Sequence, residues 1–203
     1  MMSDVSIEYS GNYLSFTREE LMEEVRETMS EKRFKHVLGV EETAVQLAHE
    51  YGADIEKASV AALLHDVAKE QSEEEMRDIV ISENLNLDLL QFGSSIWHAP
   101  VGAVLARREY GVNDKEILEA IEYHTTAAPE MSLITQIIFV ADYIEPGRSH
   151  DGVEEARELA KYSLRDAVRF EIRETIKHLV ESEERIYPHA IDAYNAWIDR
   201  RKG

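Results

Sequence analysis

The sequence predicts an all-α fold, and three observations lead to that prediction. Apolar residues recur at helical spacing over long stretches, most clearly on one face of 31–51. Residues that can cap a helix precede most of these stretches. No stretch shows the alternation of apolar and polar residues that is typical of a half-buried strand. With 203 residues, of which 44% are apolar, the chain is long enough for one large domain with a substantial core.

Cap and stop signals delimit the predicted helices. A Ser or Thr followed three residues later by Glu predicts a capping box, and Gly commonly ends a helix. The first four predicted helices, each counted from its cap residue to its approximate last residue, are 17–29, 30–51, 54–69 and 72–83. The later ones are 96–110, 113–123, 132–144 and a set from 151 to the C-terminus. Pro100 predicts a break in the fifth helix, and Asn113 and Asp151 are the expected caps of later ones.

The same signals suggest how the chain is divided. Residues 1–16 contain the turn sequence Ser10-Gly11-Asn12 and are expected to form a loosely attached N-terminal arm. We expect a core at 17–150 and a helical extension of the same domain at 151–203.

The composition excludes several classes of function. The chain has no cysteine, which rules out disulfides, zinc fingers, iron–sulfur clusters and thiol nucleophiles. Its formal net charge of −19 and the lack of a dense basic run argue against a nucleic-acid partner. The longest uncharged apolar run, 133–141, is about half of the roughly 18 residues that a membrane span needs, and the first residues do not resemble a secretory signal. We therefore expect a soluble, cytoplasmic protein that binds neither nucleic acid nor membranes.

Six residues in apolar surroundings are the candidate metal ligands. They are His36, His65, Asp66, His98, His124 and Asp142. Iron, manganese and zinc accept imidazole and carboxylate ligands, and a helical bundle can bring them together from separate helices. Any one of these residues alone would more often be a core residue with a satisfied hydrogen bond, but six together favour a functional site. The histidines at 49, 150, 178 and 189 lie in charged or turn contexts and are not candidates.

The stretch 61–69 is the centre of the predicted site. It is interpreted as an apolar helix with His65 and Asp66 in its middle. Adjacent residues on a helix point about 100° apart, so these two are not expected to face one ion squarely, although Asp66 can bridge two ions. Lys69 follows at helical spacing and is expected to share their face, where its ammonium group would meet a phosphate oxygen.

The order of these residues resembles the His…His-Asp…His…His…Asp pattern of the HD superfamily of metal-dependent phosphohydrolases. More narrowly, the chain is similar to the bacterial YqeK-type symmetrical diadenosine tetraphosphate hydrolases. The similar stretches are 33–40 (RFKHVLGV), 63–69 (LLHDVAK), 97–103 (WHAPVGA), 124–126 (HTT) and 141–148 (ADYIEPGR). The likeness covers about residues 18–190 and identifies the expected core at 17–150 as an HD metal-binding core in a helical bundle, with the C-terminal helices packed on it.

This resemblance implies two divalent metal ions, with iron favoured and manganese or zinc as alternatives. One ion would be held by His36, His65, Asp66 and Asp142, and the second by Asp66 as a bridge with His98 and His124. The implied catalytic residues are Asp66, Lys69 and Arg148. The implied substrate contacts are Lys69, His98, Thr125, Thr126 and Arg148. The implied reaction is the symmetrical hydrolysis of diadenosine tetraphosphate to two ADP by a metal-bridged hydroxide.

Two other functions remain open from the sequence. The metal site could belong to a nucleotidase or phosphohydrolase that acts on another nucleotide, such as a guanine or deoxy nucleotide, because no residue distinguishes the bases by spacing. The chain could also be a metal-loaded nucleotide sensor without catalysis, whose acidic C-terminal helices bind a partner. Those helices could instead pack on the core or form a homodimer. The small-molecule partner is a nucleotide in each case.

Overall fold

The computed structural model describes residues 7–199, which form ten α-helices, one short 3₁₀ helix (Leu87–Gln91) and no β-strand. The helices are α1 (Arg18–Glu27), α2 (Glu31–Tyr51), α3 (Ile55–Leu64), α4 (Glu73–Ser82), α5 (Ser94–Arg108), α6 (Lys115–Tyr123), α7 (Leu133–Ile144), α8 (Val153–Tyr162), α9 (Leu164–Glu181) and α10 (Pro188–Asp199). The predicted all-α fold is confirmed. Residues 1–6 of the expected N-terminal arm and 200–203 of the expected extension lie outside the described residues.

The centre of the bundle is α3, which is enclosed by its neighbours. Every residue from 58 to 68 is buried, because residues 60–64 are apolar on all sides and such a helical segment is stable only inside a core. Helix α2 packs along α3 and α7, while α6 packs on α3, α5 and α7. Helices α8 and α9 pack on α7, and α10 packs on α9. No helix in the described range is long and apolar enough to cross a membrane.

Several predicted boundaries are confirmed. Ser30 caps α2 through a hydrogen bond from the Arg33 backbone N–H, and α2 ends at Gly52 with a φ of 70°. Only glycine adopts that left-handed conformation without strain, which explains why the helix stops there. The two capping boxes predicted for α1 and α4 are both formed.

The predicted extent of the central helix is wrong, because α3 ends at Leu64 rather than at Lys69. The chain continues in tight turns, in which the backbone N–H of Val67 donates to the Leu64 carbonyl and that of Lys69 donates to the Asp66 carbonyl. Apolar periodicity does not distinguish a helix from buried turns of this kind over so few residues. His65 and Asp66 therefore lie at the end of the helix, not in its middle.

Three other expectations about boundaries are also wrong. Pro100 does not break α5, because packing of the buried residues around it against α4 and α6 outweighs one lost backbone hydrogen bond. Asp114 rather than Asn113 caps α6, since the Asn113 amide donates to the preceding turn. Gly152 rather than Asp151 precedes α8; its φ is 84°, and a Cβ atom there would lie 3.3 Å from the Phe170 ring.

Residues 7–16 are attached more firmly than the loose arm that their turn residues predict. Leu14 is only 4% exposed, and Tyr9 and Tyr13 pack against the core. The Tyr13 hydroxyl donates a hydrogen bond to Asp54 at 2.7 Å. Apolar anchors on either side of the turn therefore hold this segment on the N-terminal end of α3.

A buried ion pair fastens α1 to α2. The Glu41 carboxylate is 3% exposed and accepts two hydrogen bonds from the Arg18 guanidinium, at 2.7 and 2.6 Å. The Ser59 hydroxyl on α3 donates a third at 2.5 Å. Because a buried carboxylate is costly without such partners, this cluster fixes three helices relative to one another.

We predict that Arg18→Ala lowers the free energy of unfolding by about 3 kcal/mol, because it leaves the Glu41 charge buried without its cation. The matched control is Arg26→Ala on the same helix, whose partner Glu31 is exposed and whose loss should cost at most about 1 kcal/mol. Urea unfolding followed by circular dichroism measures both values. Equal losses in the two variants would contradict the role of this buried pair.

Candidate metal centre

Five parts of the fold converge on one point inside the bundle. The side chains that meet there come from α2, the end of α3, α5, the end of α6 and α7; they are His36, His65, Asp66, His98, His124 and Asp142. Their nitrogen and oxygen atoms form three overlapping groups, in each of which the atoms lie within 4.8 Å of one another. The structure thus brings together all six candidates. Among the described residues, the four histidines that the sequence set aside belong to none of these groups.

Two of the histidines are aimed by the ends of their own helices. His65 is the C-cap of α3, and its Nδ1 lies 2.6 Å from the Ala62 carbonyl oxygen. His124 is the C-cap of α6, and its Nδ1 lies 2.8 Å from the Ile121 carbonyl oxygen. A carbonyl oxygen only accepts, so Nδ1 carries the hydrogen in both rings. Their Nε2 atoms, which face the cluster, therefore keep a free lone pair when the rings are neutral.

His36 is oriented by a carboxylate that the sequence analysis missed. Its Nδ1 lies 3.1 Å from Oε1 of Glu145, which is 5% exposed and follows the last residue of α7. The other oxygen of Glu145 accepts from the Gly147 backbone N–H at 2.5 Å. A Cβ atom at Gly39 would lie 2.7 Å from that oxygen, so glycine leaves the space that Glu145 occupies. Glu145 lies in the quoted stretch 141–148, where only its position after an apolar helix sets it apart.

The Asp66 carboxylate lies between two pairs of histidines. Its Oδ2 is 3.4 Å from Nε2 of His65 and 3.7 Å from Nε2 of His36. Its Oδ1 is 3.4 Å from Nε2 of His98 and 3.7 Å from Nε2 of His124. His65 and Asp66 thus both reach the cluster, and each oxygen of Asp66 lies near a different pair of histidines.

Burial and charge set the protonation of the cluster. Burial, together with charge repulsion from His124 and Lys69, lowers the pKa of His98 well below its ordinary value. Burial and charge repulsion from His65 lower the pKa of His124 to about 4. Burial opposes ionisation of Asp66, but His65 and the other histidines hold its pKa well below the ordinary range. Burial likewise opposes protonation of His65, yet Asp66 raises its pKa. The centre thus combines neutral imidazoles at His98 and His124 with the ionised carboxylate of Asp66.

Three cations border the cluster. Lys69 Nζ lies 3.3 Å from Nε2 of His98, and burial lowers the pKa of Lys69. Arg148 donates to Asp142 Oδ1 at 2.5 Å, and its Nε donates to the Asp142 carbonyl at 2.9 Å. Arg33 was not among the sequence candidates, although it stands three residues before His36, one turn away on α2; its guanidinium donates to Asp66 Oδ2 at 2.9 Å.

The two threonines of the stretch 124–126 differ in their contacts. Thr125 Oγ1 lies 3.3 Å from Nε2 of His98, at the edge of the cluster. The Thr126 hydroxyl donates to the Ala127 carbonyl instead. Both side chains line a cavity of about 500 Å³ that adjoins the cluster.

The residues fit divalent metal ions. Nε2 of His36 and Nε2 of His65 are buried and make no hydrogen bond of good geometry, although buried polar atoms are normally satisfied. Nε2 of His98 and Nε2 of His124 are only 3.1 Å apart. Lone pairs at that separation repel unless a cation or a proton lies between them. Each of these atoms would gain a partner from a metal ion, and imidazole with carboxylate is a donor set that such ions prefer.

Comparisons with known proteins agree with this geometry. The sequence model of the HD domain family matches residues 33–147, the range that contains all six residues of the cluster. A symmetrical bis(5'-nucleosyl)-tetraphosphatase from Bacillus subtilis is 43% identical over 181 residues, covering 89% of this chain and 97% of that protein. A protein of the same name from Halalkalibacterium halodurans is 42% identical over 178 residues, covering 88% of this chain and 95% of that protein.

A solved structure shows the same fold. The crystal structure of a predicted HD superfamily hydrolase involved in NAD metabolism, from Clostridium acetobutylicum, superposes with a TM-score of 0.87 and 38% identity. It covers 92% of this chain and 99% of that one, so the similarity includes the C-terminal helices as well as the core. On the match to the family, the two relatives and this structure, the chain belongs to the HD domain family.

Proposed function

We propose that the protein is a metal-dependent hydrolase that cleaves diadenosine tetraphosphate symmetrically and releases two ADP. The observation that carries the proposal is its similarity, over nearly their whole length, to relatives named symmetrical bis(5'-nucleosyl)-tetraphosphatases. The site supports it, because a buried cluster of imidazoles and carboxylates bordered by three cations suits an anionic phosphoanhydride.

In this proposal the six clustered residues hold two divalent ions. His36, His65, Asp66 and Asp142 would bind one, and Asp66 with His98 and His124 the other. The division follows Asp66, whose two oxygens each lie near a different pair of histidines. When bound, such ions activate water and stabilise charge on phosphoryl oxygens. We propose iron, with manganese or zinc as the alternatives, since the donor set accepts all three.

The cations of the chain position and stabilise the polyphosphate. Lys69 would neutralise a phosphoryl oxygen beside His98, where its ammonium group lies. Arg148 is 35% exposed, so it can reach substrate while it remains bonded to Asp142. Its planar fork matches two phosphate oxygens, which a lysine cannot do. Thr125 would donate to a phosphate or ribose oxygen from the edge of the cluster. These contacts would stabilise the negative charge that ADP carries as it leaves.

The test is to identify the products. Purified protein loaded with iron or manganese should convert diadenosine tetraphosphate to ADP alone, which ion-exchange chromatography of the nucleotides resolves. Asp66→Ala should lose metal and reduce turnover at least about a hundredfold, whereas His178→Ala, on the exposed part of α9, should change neither. Formation of AMP with ATP would contradict symmetrical cleavage. Absence of turnover in fully loaded protein would contradict the proposed substrate.

We predict that Lys69→Ala leaves the metal content unchanged and lowers kcat by about a hundredfold, because it removes one preorganised positive charge from the phosphoryl site. Lys115→Ala is the control, since that lysine is 84% exposed on α6. Elemental analysis and steady-state kinetics on the same samples give the two values. If the Lys69 variant loses metal, the role of this lysine is to support the metal centre and not to contact the substrate.

We predict that Glu145→Ala weakens metal binding about 10- to 100-fold, because His36 loses the acceptor that orients its ring. Glu145→Gln should recover part of the affinity, since the amide oxygen still accepts from Nδ1. Titration of the metal-free protein with manganese measures the dissociation constants, and Glu154→Ala, a surface substitution, is the control. An unchanged affinity in Glu145→Ala would show that the carboxylate does not position His36.

We also propose that the enzyme acts in the cytoplasm, and cell fractionation tests that location. A homodimer, which the sequence leaves open as one role of the C-terminal helices, is tested by sedimentation analysis.

A further inference from the structure

The cavity beside the cluster has the size and position of a ligand site. Its volume of about 500 Å³ lies within the range of pockets that bind small molecules. Thr125 belongs to both places: its side chain lines the cavity, and its hydroxyl lies 3.3 Å from Nε2 of His98. A molecule whose phosphates lie at the centre would therefore extend directly into this cavity.

The cavity walls are apolar and aromatic. The lining includes Phe92, Ile96, Phe139, Ile172, Ile176 and Leu179. Phe92 and Tyr187 meet edge to face with ring centroids 5.2 Å apart, and both line the cavity. The Arg185 guanidinium lies 5.5 Å from the centroid of the Phe92 ring and donates to the Gln91 carbonyl. Aromatic rings and a stacked guanidinium are the surfaces on which a nucleobase stacks.

The cavity also has polar groups in its lining. The Thr125 hydroxyl lies beside the metal centre, where a ribose would follow the phosphates. Glu183, Glu184 and Arg185 are exposed residues of the lining and carry charges of both signs. Because Thr125 joins the cavity to the centre, a ligand with its phosphates at the metal centre would place its ribose beside Thr125 and its base farther along the cavity, among the aromatic side chains.

Most of this cavity comes from the C-terminal helices rather than from the matched HD domain. More than half of its lining residues follow residue 147, and they lie on α9, on the loop 182–187 and at the start of α10. The C-terminal helices thus supply the wall of a pocket whose floor is the metal-binding core.

We propose that this cavity is a nucleoside subsite, in which one adenosine of diadenosine tetraphosphate lies with its base against the Phe92–Tyr187 pair. The inference rests on the proposed function and adds to it the residues that recognise the nucleoside. It assigns recognition of the base to Phe92 of the HD domain together with Tyr187 of the C-terminal segment, and chemistry at phosphorus to the metal centre.

The test compares a ligand that has a base with one that lacks it. ADP and inorganic tripolyphosphate are titrated into manganese-loaded protein by calorimetry, for wild type, Phe92→Ala, Tyr187→Ala and Tyr187→Phe. The control is Tyr162→Ala, which removes a ring that is 84% exposed on α8. Binding of tripolyphosphate also reports whether each variant keeps a folded centre.

We expect both alanine variants to weaken ADP binding about tenfold and to leave tripolyphosphate binding unchanged, because only the base loses its stacking surface. Tyr187→Phe should bind ADP like wild type, since it keeps the ring and loses only the hydrogen bond that its hydroxyl accepts from Asn86. The KM for diadenosine tetraphosphate should rise in parallel, with kcat little changed.

Two results would overturn the subsite. One is ADP binding that matches wild type in both alanine variants, and the other is an equal loss of ADP and tripolyphosphate, which indicates a merely structural role for the rings. Failure of the proposed function is seen separately, as wild-type protein that does not hydrolyse diadenosine tetraphosphate. In that case the ADP titrations still decide whether the cavity binds a nucleoside.

Discussion

The position of one buried carboxylate, Asp66, is the constraint on which the rest of the structure depends. This group is 3% exposed, and an ionised carboxylate so far from water is stable only among partners of opposite charge. Its partners are Arg33 from α2 and histidines from four different parts of the chain. To bring them together, the second half of α3 must run through the middle of the bundle, so its residues 60–64 are apolar on every side. The hydrophobic core and the polar centre are therefore two requirements on the same helix.

The ends of three helices orient the histidine side chains of the cluster. The last carbonyl groups of a helix lack partners within it. At the ends of α3 and α6 a histidine occupies the C-cap and satisfies such a carbonyl with its own Nδ1, which leaves Nε2 directed at the centre. At the end of α7 the cap residue is Glu145, which binds Nδ1 of His36 across the bundle. Two rings are thus oriented by carbonyl groups at the ends of their own helices, and the third by a carboxylate at the end of another helix.

The sequence predicts which residues come together at the centre better than it predicts their geometry. Imidazoles and carboxylates are conspicuous among apolar residues, so the six clustered residues can be found without coordinates. The first and last residues of α2 can likewise be predicted, from Ser30 as the N-cap and Gly52 as the C-cap. The end of α3 could not be found in this way, because apolar residues flank His65 and Asp66 on both sides and periodicity does not mark where a buried helix becomes a buried turn. Arg33 and Glu145 were missed because single charged residues are common in this chain, and only their partners reveal a role. The cavity could not be predicted from the sequence either, because its lining residues Phe92, Thr126 and Tyr187 are far apart in the chain and meet only in the folded structure.

The negative net charge of the chain determines where a polyphosphate can be attracted. A protein with a formal net charge of −19 repels a polyphosphate at long range. Attraction must therefore be local, and Arg33, Lys69 and Arg148 all lie at the centre, where low solvent exposure makes charge most effective. Two of these cations are paired with the carboxylates that would bind metal, Arg33 with Asp66 and Arg148 with Asp142. Divalent ions that neutralise the same carboxylates would weaken the hold on both guanidinium groups and make them more available to phosphate. On this argument metal and substrate binding favour each other, since each supplies charge that the other needs.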